Sequence, residues 1–194
     1  MRKIILASAS KQRRAYFEMI FGDNFEVCAS DYKEENDLDM LPEKLSVKLA
    51  KGKAREVAEK YEDAIVVGCD TFVYLDGKVV GKPKDTDDAV NILKLQSGRI
   101  LEVYSGLCII DTKNNTEITD FAVSKVFFAK LSNNEIKKYV DTEEWVGKAG
   151  GWANLGKAGM FIERIEGCMA NVAGMPLNKL YVILKKMGLN VFEY

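Results

Sequence analysis

Apolar residues follow two rhythms along this chain. Consecutive runs, Lys3-Ile4-Ile5-Leu6-Ala7 and Ile65-Val66-Val67, predict short buried strands. A helical rhythm appears in Leu45, Leu49, Val57 and Tyr61, joined by Ala50, Ala54 and Ala58, and predicts a long helix from Pro42, since proline suits a first helical position. Lys11–Phe21 predicts another helix, with Tyr16, Phe17, Ile20 and Phe21 apolar and Ser10 as N-cap. Phe25–Ala29 reads as a strand and the acidic stretch Asp31–Asp39 as a loop.

The second half is equally readable. Gly68 is expected to end the Ile65 strand, leaving Asp70-Thr71 where it emerges. Phe72–Leu75 and Lys78–Val80 flank Asp76-Gly77, a strong hairpin signal. Thr86-Asp87-Asp88 caps a helix carrying Ala89, Ile92, Leu93 and Leu95 and stopped at Gly98. Ile100–Ile110 and Thr119–Ala129 predict an antiparallel pair around Asp111–Asn115. Ser132 with Glu135 forms a capping box for a helix through Val140. A glycine-rich stretch, Gly147–Gly159, precedes a strand at Met160-Phe161-Ile162, and Pro176–Met187 predicts a last helix closed by Gly188.

Composition narrows the class. The 194 residues suffice for one large domain or two small lobes, and 47% hydrophobic with 29% charged residues is ordinary for a globular chain. A net charge of -1 argues against nonspecific nucleic-acid binding. The apolar runs are too short to span a bilayer, and the stretch after Met1-Arg2-Lys3 is too short for a signal-peptide core, so a soluble cytoplasmic protein is expected. Cys28, Cys69, Cys108 and Cys168 form no CxxC pair, which excludes zinc-finger spacing and points to reduced thiols. There is no histidine. Ser-His-Asp and Cys-His catalysis and HExxH metal sites are therefore absent, leaving carboxylates, cations, hydroxyls and an oxygen-bound metal.

Several residues carry candidate chemistry. Lys11, Arg13 and Arg14 load cations at the helix end where the macrodipole disfavours them, which reads as an anion site or as a solvated basic helix start. Lys53 interrupts the apolar stripe of its helix, so it either snorkels outward or meets a negative partner. Asp70 is a water- or metal-directed carboxylate or a turn former, and Lys82 follows the hairpin's return strand. Gly151–Ala158 approaches the phosphate-loop pattern G-x-x-x-x-G-K-[ST], but Ala158 replaces the hydroxyl, no buried strand precedes it and no helix follows, so that reading is rejected.

Seven pieces in order together resemble one family: Leu6-Ala7-Ser8-Ala9-Ser10 with Arg13, Leu49-Ala50 with Lys53-Ala54, Asp70-Thr71, Gly81-Lys82-Pro83, Leu95-Gln96-Ser97-Gly98, Lys148-Ala149-Gly150-Gly151, and Gly174-Met175-Pro176-Leu177. This series is similar to the Maf family of septum-formation proteins, regarded as nucleoside triphosphate pyrophosphatases. The resemblance implies an α/β fold, a mixed twisted sheet flanked by helices in an elongated, two-lobed architecture around a cleft, like inosine triphosphate pyrophosphatases. It implies hydrolysis of a nucleoside triphosphate to the monophosphate and pyrophosphate with Mg2+ or Mn2+, and it suggests a homodimer.

Carried over by position, the resemblance makes Asp70 the general base or holder of metal and water, with Glu34 beside the metal. Arg13, Lys53 and Lys82 would line the phosphates, Ser8 and Ser10 match the family's N-terminal serines, and Thr71 falls at a position tied to base specificity. Two departures stand out. Ser10-Lys11-Gln12-Arg13 lacks one family arginine, which Arg14 either replaces or does not, and Leu155 stands where a glutamine associated with pyrimidine recognition occurs. The expected activity is removal of noncanonical or particular pyrimidine nucleotides, with shifted or broadened base selection. The alternative is a nucleotide-binding regulator of cell division with little turnover.

Overall fold

A computed structural model describes residues 2–33 and 40–194. In chain order the elements are β1 (Lys3–Leu6), α1 (Lys11–Phe21), β2 (Glu26–Val27), α2 (Pro42–Ala58), β3 (Ala64–Leu75), β4 (Lys78–Val80), α3 (Thr86–Gln96), β5 (Ile100–Asp111), β6 (Thr116–Phe128), α4 (Asn133–Val140), β7 (Ile162–Glu166), α5 (Met169–Val172) and α6 (Leu177–Lys186). Among the described residues the strands form a seven-stranded mixed sheet, β2-β1-β3-β5-β6-β7, with β4 paired to β3. β1 is parallel to both β2 and β3, while β3–β4 and β6–β7 are antiparallel. The expected α/β class with a mixed sheet is what the chain forms.

The chain divides into two compact units. The first comprises Met1–Asp70, Ser105–Ala122 and Gly174–Tyr194. Alternation along β1 and β3 explains their uninterrupted apolar runs. Ile4, Leu6, Ile65 and Val67 face Phe17 and Phe21 of α1 and Leu180 and Leu184 of α6. Ile5 and Val66 face Ala50, Ala54 and Val57 of α2. The alanines matter because α2 lies almost in contact with the strands. A Cβ at Gly106 would stand 2.0 Å from the Ser46 carbonyl oxygen, and one at Gly68 would stand 2.5 Å from that of Ala50. Only glycine at both places lets helix and sheet backbones approach this closely.

The second unit comprises Thr71–Tyr104 and Val123–Ala173. Its core gathers Val73 and Leu75 of β3, Leu101 and Val103 of β5, Val126 and Phe128 of β6, Leu93 of α3, Tyr139 of α4, and Trp145 and Trp152. The capping box at Ser132 and Glu135 forms as the spacing predicts.

The structure corrects some boundaries. β3 does not end at Gly68 but runs through Asp70 to Leu75. β2 keeps only Glu26 and Val27 of the expected strand, because Phe25 turns in against Phe17 with ring centroids 5.4 Å apart. Asp85, not Thr86, caps α3, accepting from the Asp88 amide. Lys157–Phe161 is a 3-10 turn, so the strand expected at Met160 begins at Ile162. Among the described residues, no helix is long and apolar enough to cross a membrane.

Candidate active site

The parallel pairing of β1 with β3 ends at Leu6 opposite Val67. Ser8 and Asp70 lie just past that point, at the carboxyl end of the parallel ladder where open α/β sheets place their ligands. The Ser8 hydroxyl accepts from the Ser10 amide at 3.3 Å and from Arg13 Nη1 at 3.1 Å. Ser10 caps α1 by accepting from the Arg13 amide at 3.4 Å, as its spacing predicts. Arg13 Nε donates to the Gly174 carbonyl at 2.8 Å, and the residue is only 9% exposed. The first turn of α1 contains no acidic residue. Arg13 is therefore folded inward onto built acceptors. Arg14 is exposed and pairs along the helix with Glu18 at 2.8 Å.

Period-two alternation decides what surrounds Asp70. Gly68 and Asp70 share the face of β3 that meets α2, whereas Cys69 points to the other. One turn of α2 against Gly68 sets Ala50 and Ala54 on the strand and brings Lys53 Nζ onto Asp70 Oδ1. Asp70 is buried and Lys53 half-buried, which answers why a lysine interrupts the apolar stripe. A buried pair of this kind is costly to assemble relative to an apolar pair, and strongly destabilised when one partner is removed. On the opposite face Cys69 Sγ lies 3.2 Å from the Gly174 carbonyl oxygen, the same atom that holds Arg13. Ser8, Ser10, Arg13, Lys53 and Asp70 are thus all placed by the first unit. The role of the Gly174 carbonyl was invisible in the sequence, because a backbone acceptor has no side-chain signature.

Thr71, Lys82 and Leu155 belong to the second unit. Thr71 is half-buried beside Asp70 in the chain, Lys82 is exposed, and Leu155 is 59% exposed. The Gly81-Lys82-Pro83 segment is fastened by the Gly150 amide, which donates to the Gly81 carbonyl at 2.9 Å. Tyr139 donates to the Gly151 carbonyl at 3.2 Å, and burial pushes its phenol well above its ordinary pKa, so it stays a donor. Lys157 of the rejected phosphate loop is committed to Glu144, through its amide at 2.8 Å and its ammonium at 3.3 Å. Glu34 lies outside the described residues.

Residues 3–187 match the family described as Maf-like protein. This chain belongs to the Maf-like family. The dTTP/UTP pyrophosphatase of Clostridium botulinum (strain Hall) is 46% identical to it over 196 residues, covering 98% of this chain and 100% of that protein. The dTTP/UTP pyrophosphatase of Methanosarcina barkeri is 42% identical and covers 100% of this chain and 98% of its own. Among solved structures, the Ham1 protein of Staphylococcus aureus aligns with a TM-score of 0.56 at 13% identity, covering 96% of this chain and 100% of that one. That likeness gives the Maf-like chain the fold expected for it.

Proposed function

We propose that this Maf-like protein is a nucleoside triphosphate pyrophosphatase acting on pyrimidine nucleotides, dTTP and UTP foremost, by cleavage between the α and β phosphates. The observation that carries the reading is the 46% identity, end to end, with a dTTP/UTP pyrophosphatase. The buried Asp70–Lys53 pair, with the buried Arg13 in the same unit, supports it chemically. A protein that only bound nucleotide would have no use for a desolvated carboxylate, which costs stability.

In this reading Asp70 orients the attacking water and takes its proton, the general-base role open to a carboxylate in a chain without histidine. Arg13, held by Ser8 and Gly174, brings its positive charge to the phosphate oxygens without first being ordered. Lys53 steadies Asp70 before substrate arrives and turns its ammonium to the triphosphate afterwards. Lys82 adds a third cation.

The donor set suits a hard divalent cation. Among the described residues no three His, Cys, Asp or Glu side chains cluster to form a complete protein cage. The Cys69 thiol beside Asp70 is turned to the Gly174 carbonyl. One or two carboxylates, waters and substrate phosphates are how magnesium is ordinarily held. Asp70 would hold it, with Glu34 as the second carboxylate. When bound, the cation supplies neutralisation of the triphosphate charge. Cys28, Cys69, Cys108 and Cys168 join in no disulfide, which fits work in the cytoplasm.

The experiment is product analysis with dTTP. Pyrophosphate and dTMP are expected, turnover should stop with chelator, and added magnesium should restore it. Orthophosphate as first product would overturn the reading.

A further inference from the structure

Gln96, the one glutamine of the second unit, is buried completely, at 0% exposure. It closes the C-terminal turn of α3. Its amide nitrogen donates to the Ile92 carbonyl at 3.1 Å within the helix and to the Gly150 carbonyl at 2.7 Å across to the glycine-rich loop. Its amide oxygen accepts from Trp152 Nε1 at 2.8 Å. Both ends of the amide are therefore used, and its orientation is fixed by one carbonyl and one indole.

The chain of contacts continues to the segment that carries Lys82. Gly150 has φ +69, and a Cβ there would stand 2.9 Å from each of Gln96 Oε1, Trp152 Nε1 and Val73 Cγ2. The same Gly150 turns its amide to the Gly81 carbonyl, immediately before Lys82. Pro83, immediately after Lys82, meets Gly151, where a Cβ would come within 3.1 Å of Pro83 Cγ. Lys82 is thus exposed on a short segment fastened on both sides to Gly150-Gly151, and Gly150 is fastened to Gln96.

We propose that Gln96 is a positioning residue for the pyrophosphatase reaction: through Gly150 it fixes the Gly81-Lys82-Pro83 backbone and so aims the Lys82 ammonium at the triphosphate. The inference rests on the reading of Lys82 as a phosphate-binding cation. A buried amide could serve packing alone. The distinction is that packing acts on stability, whereas positioning acts through one particular side chain and vanishes when that side chain is gone.

A double-mutant cycle separates the two. Gln96→Leu keeps bulk and removes both hydrogen bonds across the loop. It should lower kcat/KM for dTTP by about 10- to 100-fold, the scale of a small misplacement at a site. Lys82→Ala should be slower still. The double variant should be no slower than Lys82→Ala alone, within about twofold, whatever its melting temperature. Trp152→Phe, which removes only the indole donor, should show the same Lys82-dependent pattern with a smaller loss and covers the case in which Gln96→Leu does not fold. Losses that multiply in both cycles, or unchanged kcat/KM in both single variants, would overturn the inference while leaving the pyrophosphatase reading intact. Wild-type turnover by Lys82→Ala would instead remove the role of Lys82, and the inference with it.

Discussion

Asp70 carries opposed demands, because the carboxylate that suits it to move a proton also requires a cation beside it when buried. Asp70→Asn keeps the shape and removes the charge. Steady-state pyrophosphate release should fall by about 10²-fold or more, the usual scale for a lost acid–base group. The melt should also shift down, because Lys53 loses a charge-assisted hydrogen bond of about 1–3 kcal/mol. Adding Lys53→Met should recover stability, since an apolar pair replaces a buried ionic one, but not turnover. Near-normal turnover by Asp70→Asn would reject the catalytic role. The pairing of Lys53 was half legible from sequence, which left it either snorkelling outward or meeting a negative partner, and Asp70 was read as following the strand it in fact lies within. The inward fold of Arg13 was not legible, because its acceptor is the Gly174 carbonyl, 161 residues away.

Helix α2 and strands β3 and β5 show how an element turns composition into geometry. Gly68 and Gly106 place the helix backbone on the sheet, and that contact sets Lys53 over Asp70. The sequence alone takes Gly68 for a strand terminator, because glycine weakens an isolated strand. Here the ladder runs on through it, and only the parallel pairing with β1 stops. The turn after β5 shows the same division. Its position at Asp111–Asn115 is readable, yet its anchor is remote: Arg2 reaches Asp111 with Nη2 at 2.7 Å and Nη1 at 3.0 Å, and Asp111 also accepts from the Asn114 amide at 3.0 Å. The Arg2 hydrogen bond, foremost, holds the Asp111 carboxyl below the usual carboxylate range. A depressed folded-state pKa stabilises the fold above the unfolded value, near 3.9, and the benefit is lost as pH falls from there through the folded value. Asp111→Asn should therefore destabilise the protein by about 1–3 kcal/mol at neutral pH. The gap should narrow below about pH 4. Chemical denaturation at both pH values measures it, and a pH-independent gap would assign the loss to the turn geometry instead.

At the scale of the molecule, the candidate residues are spread over both units. The first holds the carboxylate, Arg13 and Lys53, and the second holds Lys82, Thr71 and Leu155. The relatives named dTTP/UTP pyrophosphatases point to a pyrimidine substrate, while Leu155 removes the amide that the family resemblance associates with reading that base. A site that hydrogen-bonds its substrate can reject an analogue by about 10⁴-fold or more, whereas apolar contact discriminates by only about 10- to 200-fold. UTP and CTP differ at position 4 of the ring, a carbonyl against an amine, so their ratio measures which regime operates. The expected ratio of kcat/KM for UTP over CTP is in the lower range, about 10²-fold or less. Leu155→Gln should raise it, with little change in the rate on UTP itself. A wild-type ratio near 10⁴ would mean that another group reads the base and that Leu155 stands apart from it.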